Sequence, residues 1–111
     1  MTLLDQWDIA LVPFPFTDRN ATVKRAALVL STRSFNAAAS ATIFAMITKA
    51  QFSAWPGDYA VRDWKTAELL LPSIVRIKMF TLENSLVLRR LGRLQAGDID
   101  GFQAAAKPFL W

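Results

Sequence analysis

Apolar residues fall in short runs broken by polar or turn-forming residues along most of the chain, a spacing that predicts strands rather than long helices. Residues 8–14 make the first run, rich in β-formers and closed by Pro13-Phe14-Pro15. Thr17, Asp18, Arg19 and Asn20 follow with turn composition. Residues 26–31 (AALVLS) read as a second buried strand. Residues 42–47 read as a third, whose unbroken apolar character places it centrally. Between them, residues 34–40 fit a helical turn or a loop equally well. Trp55-Pro56-Gly57-Asp58 is a turn signal ahead of a short strand at residues 59–62. Residues 63–71 again fit either a helical turn or a loop before Pro72. Residues 73–80 alternate imperfectly, as a strand with Arg76 and Lys78 facing outward. Residues 86–94 are ambiguous, and Gly92 argues against a clean helix there.

The end of the chain carries a helical period. Asp98 occupies an N-cap position, and Ile99, Phe102, Ala106 and Phe109 fall on one face. Pro108 marks fraying near the terminus. Several short strands and one terminal helix predict a mainly β (α+β) protein, a small curled β-barrel or sheet with the helix packed on it. No repeat or linker interrupts the 111 residues, so a single domain over 1–111 is expected.

Composition narrows the chemistry. Thirteen Lys and Arg against nine Asp and Glu give a charge of +4 and a pI near 10.0, suited to a polyanion but shared by many basic proteins. Eight Phe and four Trp serve a partner surface as readily as a core. There is no Cys and no His. That excludes a disulfide scaffold, a thiolate metal site, a His-based triad and cleavage by paired imidazoles. Any catalysis must come from Arg, Lys, carboxylates, hydroxyls and backbone groups, and neither a metal nor a cofactor is expected. The N-terminus lacks a basic region followed by an apolar run. The apolar runs are far shorter than the ~20 residues that span a membrane. A soluble cytoplasmic protein is the expectation, with no membrane partner.

Three segments set polar groups beside apolar strands. Lys24-Arg25 opens the second strand, Thr48-Lys49 closes the third, and Ser73, Arg76 and Lys78 lie on the later one. If these strand ends converge, they make a basic pocket with two hydroxyls. Phosphodiester cleavage by an RNA 2′-hydroxyl needs a proton acceptor, a proton donor and stabilisation of the phosphorane. A guanidinium suits the last task because its planar donors match phosphate oxygens in pairs, and a Thr hydroxyl can hold a further oxygen. Asp18 is the best carboxylate on a polar loop for the first. Each residue also has a plainer reading. An Arg at a strand start is commonly a solvated charge, Thr48 a strand-end residue, and Arg76 with Lys78 a solvent-facing stripe. On residues alone this is a basic β domain whose function stays open.

Several stretches in order resemble the MazF/PemK toxins of bacterial toxin–antitoxin systems. Residues 8–18 end in PFPFTD, as in one subgroup of that family, and KRAALVLS (residues 24–31) is similar to its K-R-P-A-L-V-L-S strand. Ile47-Thr48 matches a strand ending in I-T. The stretch from Trp64 through PSIVR (72–76) to FTL (80–82) is similar to a later segment, and LGRL (91–94) with the terminal helix closes the match. The resemblance spans nearly the whole chain.

The resemblance implies a small SH3-like curled β-barrel with a C-terminal helix, assembled as a homodimer. It implies metal-independent, sequence-specific cleavage of single-stranded RNA to 2′,3′-cyclic phosphate and 5′-hydroxyl ends. A cognate antitoxin, whose C-terminal segment blocks the RNA groove, and DNA binding in complex with it are also implied. The family's catalytic Arg falls on Arg25, its catalytic Thr on Thr48 and a further basic position on Arg76; Lys24, Lys49, Ser73, Lys78 and Asp18 are expected at the RNA. Trp55 or Phe16 is a candidate anchor for the antitoxin. Trp7 and Glu68 stand where glycine is usual, and Ala26 replaces a proline. Some relatives use a His in the first loop and an Asp on the later strand; this chain has no His, and Lys78 lies near the Asp position. A toxin-like module that binds nucleic acid or an antitoxin without cutting is the alternative, and a structural dimeric domain a third.

Overall fold

The computed structural model of the chain describes residues 3–14, 23–52 and 54–111. Six strands follow the apolar runs: β1 (Asp8–Pro13), β2 (Lys24–Val29), β3 (Ala41–Lys49), β4 (Tyr59–Ala60), β5 (Ser73–Glu83) and β6 (Arg89–Arg93). The helices are α1 (Arg33–Ala39) and α2 (Ala96–Leu110). The strands pair antiparallel in one sheet of order β4-β5-β3-β2-β1-β6.

This sheet is open, which corrects the expectation of an SH3-like curled barrel; the expected C-terminal helix is present as α2, and α1 is a second helix. The strand order begins at β4 and ends at β6, and these two edges do not pair. The reason lies in how the faces are buried. Ile9, Leu28, Ala45, Ile47 and Val75 join Val61, Ala67 and Leu69 and the α2 residues Phe102 and Ala106 in one apolar cluster. Ala10, Val12, Ala27, Val29, Phe44 and Met46 join Leu4, Phe14 and Phe80 in a second. Neighbours along each strand alternate between clusters, as the pleat requires. A helix and the segment after β4 cover one face, so burial does not depend on closing the sheet. β4, at two residues, also offers too little edge to bridge back to β6. In the second cluster Phe44 stacks on Phe80 at 5.5 Å, and Phe14 meets Phe80 edge-on at 5.9 Å. Full burial of a side chain such as Phe44 or Leu28 contributes about 1.5–3 kcal/mol each.

Pairing moves several boundaries. β2 starts two residues before the apolar run because Lys24 and Arg25 pair with Pro13 and Val12. β5 continues to Glu83 along Ala41, Thr42 and Ile43, with Ile77 and Lys78 as extra residues at a bulge opposite Ala45 and Met46. Residues 34–39 are helical: Thr32 Oγ1 accepts from the Phe35 N–H at 3.3 Å to open α1, and Ser40 ends it at φ +53°. Residues 86–94 divide between a 3₁₀ turn (Asn84–Leu86) and β6.

Asp98 is not the N-cap. Gln95 holds that position, and α2 runs through Pro108 to Leu110. Asp98 instead accepts from Tyr59 Oη at 2.6 Å and from the Arg62 and Asp63 N–H groups at 2.9 Å each. Its carboxylate fastens α2 to the segment after β4. No helix among the described residues is long and apolar enough to cross a membrane.

Candidate active site

The β2–β3 ladder stops at the pair Ala27–Met46. Beyond it, residues 24–26 of β2 and 47–49 of β3 line one cavity of about 530 Å³. Leu11, Arg89 and Leu91 complete it on one side, and residues 68–71 with Ser73 on the other. Five of the eight candidates from the sequence therefore meet in one place: Lys24, Arg25, Thr48, Lys49 and Ser73. They meet because two paired strands part at their ends, leaving each strand's terminal polar residues around an apolar floor of Leu11, Ala26, Ile47 and Leu91.

The pleat sorts the cations between the two sides of this sheet end. Lys24 shares the face of Ala26 and Leu28, and Lys49 that of Ala45 and Ile47. Arg25 and Thr48 share the opposite face, with Ala27 and Met46. In agreement, the Arg25 guanidinium carbon lies 5.2 Å from the centroid of Phe14, a residue of the second cluster. Continuing the register outward from Ala27–Met46 sets Arg25 across from Thr48. Arg25 and Lys49 are exposed and Thr48 half-buried. Ser73 is buried, and its hydroxyl donates to the Leu71 carbonyl at 2.8 Å, so its polarity serves the chain's turn into β5.

Arg76 and Lys78 are not brought to the cavity. Arg76 Nε and Nη2 donate to the two carboxylate oxygens of Asp58 at 3.1 and 2.9 Å. Those hydrogen bonds raise the Arg76 pKa above its ordinary value against the opposing effect of burial. The Arg76 guanidinium and the Lys78 ammonium lie 5.2 and 5.8 Å from the ring centroid of Trp55, whose indole N–H donates to the Ile77 carbonyl at 3.2 Å. Trp55, the suggested antitoxin anchor, is 43% exposed. Asp18 and Phe16 lie outside the described residues.

The sequence reading missed Glu68, Arg89 and the apolar wall of residues 69–71, all at the cavity. Glu68 had left one signal, as a departure from a glycine position. Leu70 and Leu71 carried none, since exposed leucines beside a proline read as loop. Among the described residues no three carboxylates gather as a group able to hold a metal ion.

Comparison with known proteins adds a family and a set of folds. The family model described as PemK-like, MazF-like toxin of type II toxin–antitoxin system matches residues 5–110. Among solved structures, MazF of Deinococcus radiodurans superposes with a TM-score of 0.75 at 17% identity, covering 99% of this chain and 98% of that one. The same organism's MazE–MazF complex gives 0.76 at 15%, over 99% and 97%. Mycobacterium tuberculosis toxin MazF-mt6 gives 0.73 at 18%, over 92% and 95%. At these identities the likeness is one of fold. No curated protein matches the chain.

Proposed function

Because the chain belongs to the PemK-like, MazF-like toxins of type II toxin–antitoxin systems, we propose that it is a metal-independent endoribonuclease, a single toxin domain that cuts single-stranded RNA in a sequence-specific way. The observation that carries the proposal is the meeting of Arg25 and Thr48 at one cavity, where β2 and β3 part. Arg25 stabilises the phosphorane, its paired N–H donors set against two phosphate oxygens. The Thr48 hydroxyl holds a further oxygen from the facing strand. Lys24 and Lys49 flank the same strand ends and neutralise neighbouring phosphates. Arg76 is fastened to Asp58, so it acts with Lys78 and Trp55 on RNA bound outside the cavity rather than on the reacting phosphate. The products carry 2′,3′-cyclic phosphate and 5′-hydroxyl ends.

A cognate antitoxin and a homodimer complete the proposal. Structurally similar proteins include a MazE–MazF complex and a mycobacterial endoribonuclease in complex with its cognate antitoxin. DNA binding in the antitoxin-bound form finds no support in the structure and is not proposed. The second reading, binding without cutting, is favoured by one observation: the Arg25 guanidinium rests on Phe14.

The test is incubation of the purified protein with a long single-stranded RNA in excess EDTA, followed by mapping of the 5′ ends. Discrete 5′-hydroxyl ends, absent with Arg25→Ala, are the expected result. RNA that is bound but left intact supports the second reading instead.

A further inference from the structure

The segment that walls the cavity ends in a backbone conformation that its own residue disfavours. The Ala67 N–H donates to the Asp63 carbonyl at 3.0 Å, closing one helical turn. The Glu68 N–H then donates to Lys65 O at 3.0 Å and the Leu69 N–H to Trp64 O at 2.9 Å. This pair of bonds ends a helical turn through a left-handed residue, a place normally taken by glycine. Here Glu68 holds it at φ +69°. The surroundings are also tight: a Cβ on Gly92 would overlap the Ala67 carbonyl oxygen and approach Glu68 Cβ to 2.8 Å.

Nothing in the packing requires a glutamate. Its side chain is exposed and makes no hydrogen bond or ion pair with any described residue. Non-glycine residues held in this region persist where surrounding structure enforces them, and they cluster at functional sites. What Glu68 adds is charge. Lys24, Arg25, Lys49 and Arg89 line the cavity, and among the described lining residues Glu68 is the one carboxylate. The roles assigned to Arg25 and Thr48 stabilise an anion and leave the proton acceptor unassigned.

We propose that Glu68 is that acceptor, the general base that takes the proton of the attacking 2′-hydroxyl; this rests on the ribonuclease reading above. As the 2′-oxygen bonds to phosphorus, its proton passes to the Glu68 carboxylate. The phosphorus–O5′ bond breaks, and the departing oxygen takes a proton from water. The hydroxide so formed is neutralised by the proton held on Glu68, which restores the carboxylate. The strained turn sets the Glu68 backbone beside the cavity that the cationic strand ends also line.

The experiment uses the full chain, a cleaved single-stranded RNA and an uncleavable copy with 2′-deoxyribose at the scissile nucleotide. Glu68→Gln is expected to lower kcat by about 100-fold or more, while Kd for the uncleavable copy changes by less than about threefold. Glu68→Asp should retain part of the rate. Glu68→Gly should lose it as Glu68→Gln does, yet melt at a higher temperature, which separates the loss from misfolding. Wild-type kcat in Glu68→Gln overturns the assignment while leaving the ribonuclease intact. Absence of new 5′-hydroxyl ends with the wild-type protein would overturn the ribonuclease reading itself, and Glu68 with it.

Discussion

The phenol of Tyr59 donates to Asp98 Oδ1 at 2.6 Å, along a path kept clear by Gly101, where any Cβ would overlap the Tyr59 ring. Burial and the bond to Asp98 push the Tyr59 pKa up from 10.0 to about 12. Burial also opposes ionisation of Asp98, but hydrogen bonds from Tyr59, Arg62 and Asp63 outweigh it and hold the carboxyl below its ordinary 3.8. The raised phenol stabilises the fold fully below pH 10 and loses that contribution as pH climbs toward 12. The depressed carboxyl contributes above about pH 4 and is lost as acid protonates it. Tyr59→Phe should cost about 1.5 kcal/mol at pH 7, as for a hydrogen bond to a charged group. Urea denaturation across pH should show a shallower alkaline fall in the variant, with the acid limb still present.

Trp7 and Glu68 both hold positive φ, at +74° and +69°, a region that favours glycine. Glycine should therefore have opposite effects at the two sites. At Glu68 it removes about 1–2 kcal/mol of left-handed strain against about 0.5–1 kcal/mol of added chain entropy. The net gain of roughly 0.5–1 kcal/mol raises Tm by several degrees. At Trp7 the same relief is outweighed by lost packing, since the indole meets Phe102 edge-on at 6.3 Å and deleting a large aromatic costs about 3 kcal/mol or more. Paired thermal melts of Trp7→Gly and Glu68→Gly check the sign of each.

Arg76 and Asp58 form a two-pronged ion pair with 16% and 11% of their side chains exposed. Arg76→Ala should destabilise by about 3 kcal/mol, because it removes the two-pronged cationic partner of a largely buried carboxylate. Adding Asp58→Ala should recover part of that loss. If Arg76 holds RNA outside the cavity, the double variant regains stability without regaining RNA affinity. Recovery of both would mark the pair as structural.

Thr48 and the two lysines should separate into different kinetic classes. Thr48→Val keeps the shape and removes the hydroxyl, so kcat should fall by about 10²–10³-fold if the hydroxyl aids the transition state. Lys24→Gln and Lys49→Gln should instead weaken RNA binding and reduce its dependence on salt, each lowering the logarithmic slope by roughly 0.7. Binding isotherms at several salt concentrations, beside single-turnover rates, distinguish the two.

Much of this arrangement could be read from the chain, and the misses have particular causes. The apolar runs located β1, β2, β3 and β5, since alternating burial on two faces leaves that pattern. Sheet closure could not be read, because an open sheet covered by a helix and a barrel make the same demand on each strand. Asp98 was placed near a helix start but assigned the wrong N–H groups; its donors lie some 35 residues away in sequence. Lys24, Arg25, Thr48 and Lys49 were found as strand-end polar residues, and the resemblance singled out Arg25 and Thr48. Arg76 looks equivalent in the sequence, where Asp58 is marked only as part of a turn; its ion pair with Asp58 holds it away from the cavity. Glu68 was visible as an exception to glycine, but its meaning depends on a dihedral angle.

The unclosed sheet leaves the molecule with two borders where a stray chain could add itself, and the borders are guarded differently. β4 offers two residues, too short a template to be copied. β6 is longer and is guarded by charge, with exposed Arg89, Arg90 and Arg93 along it, the last two sharing the single carboxylate of Asp8 at 3.1 and 3.3 Å. A guard made of charge weakens as salt rises, whereas one made of brevity does not. Colloidal behaviour should accordingly be set at one border alone, and concentrated salt is the condition under which filamentous or amorphous self-association through β6 would first emerge.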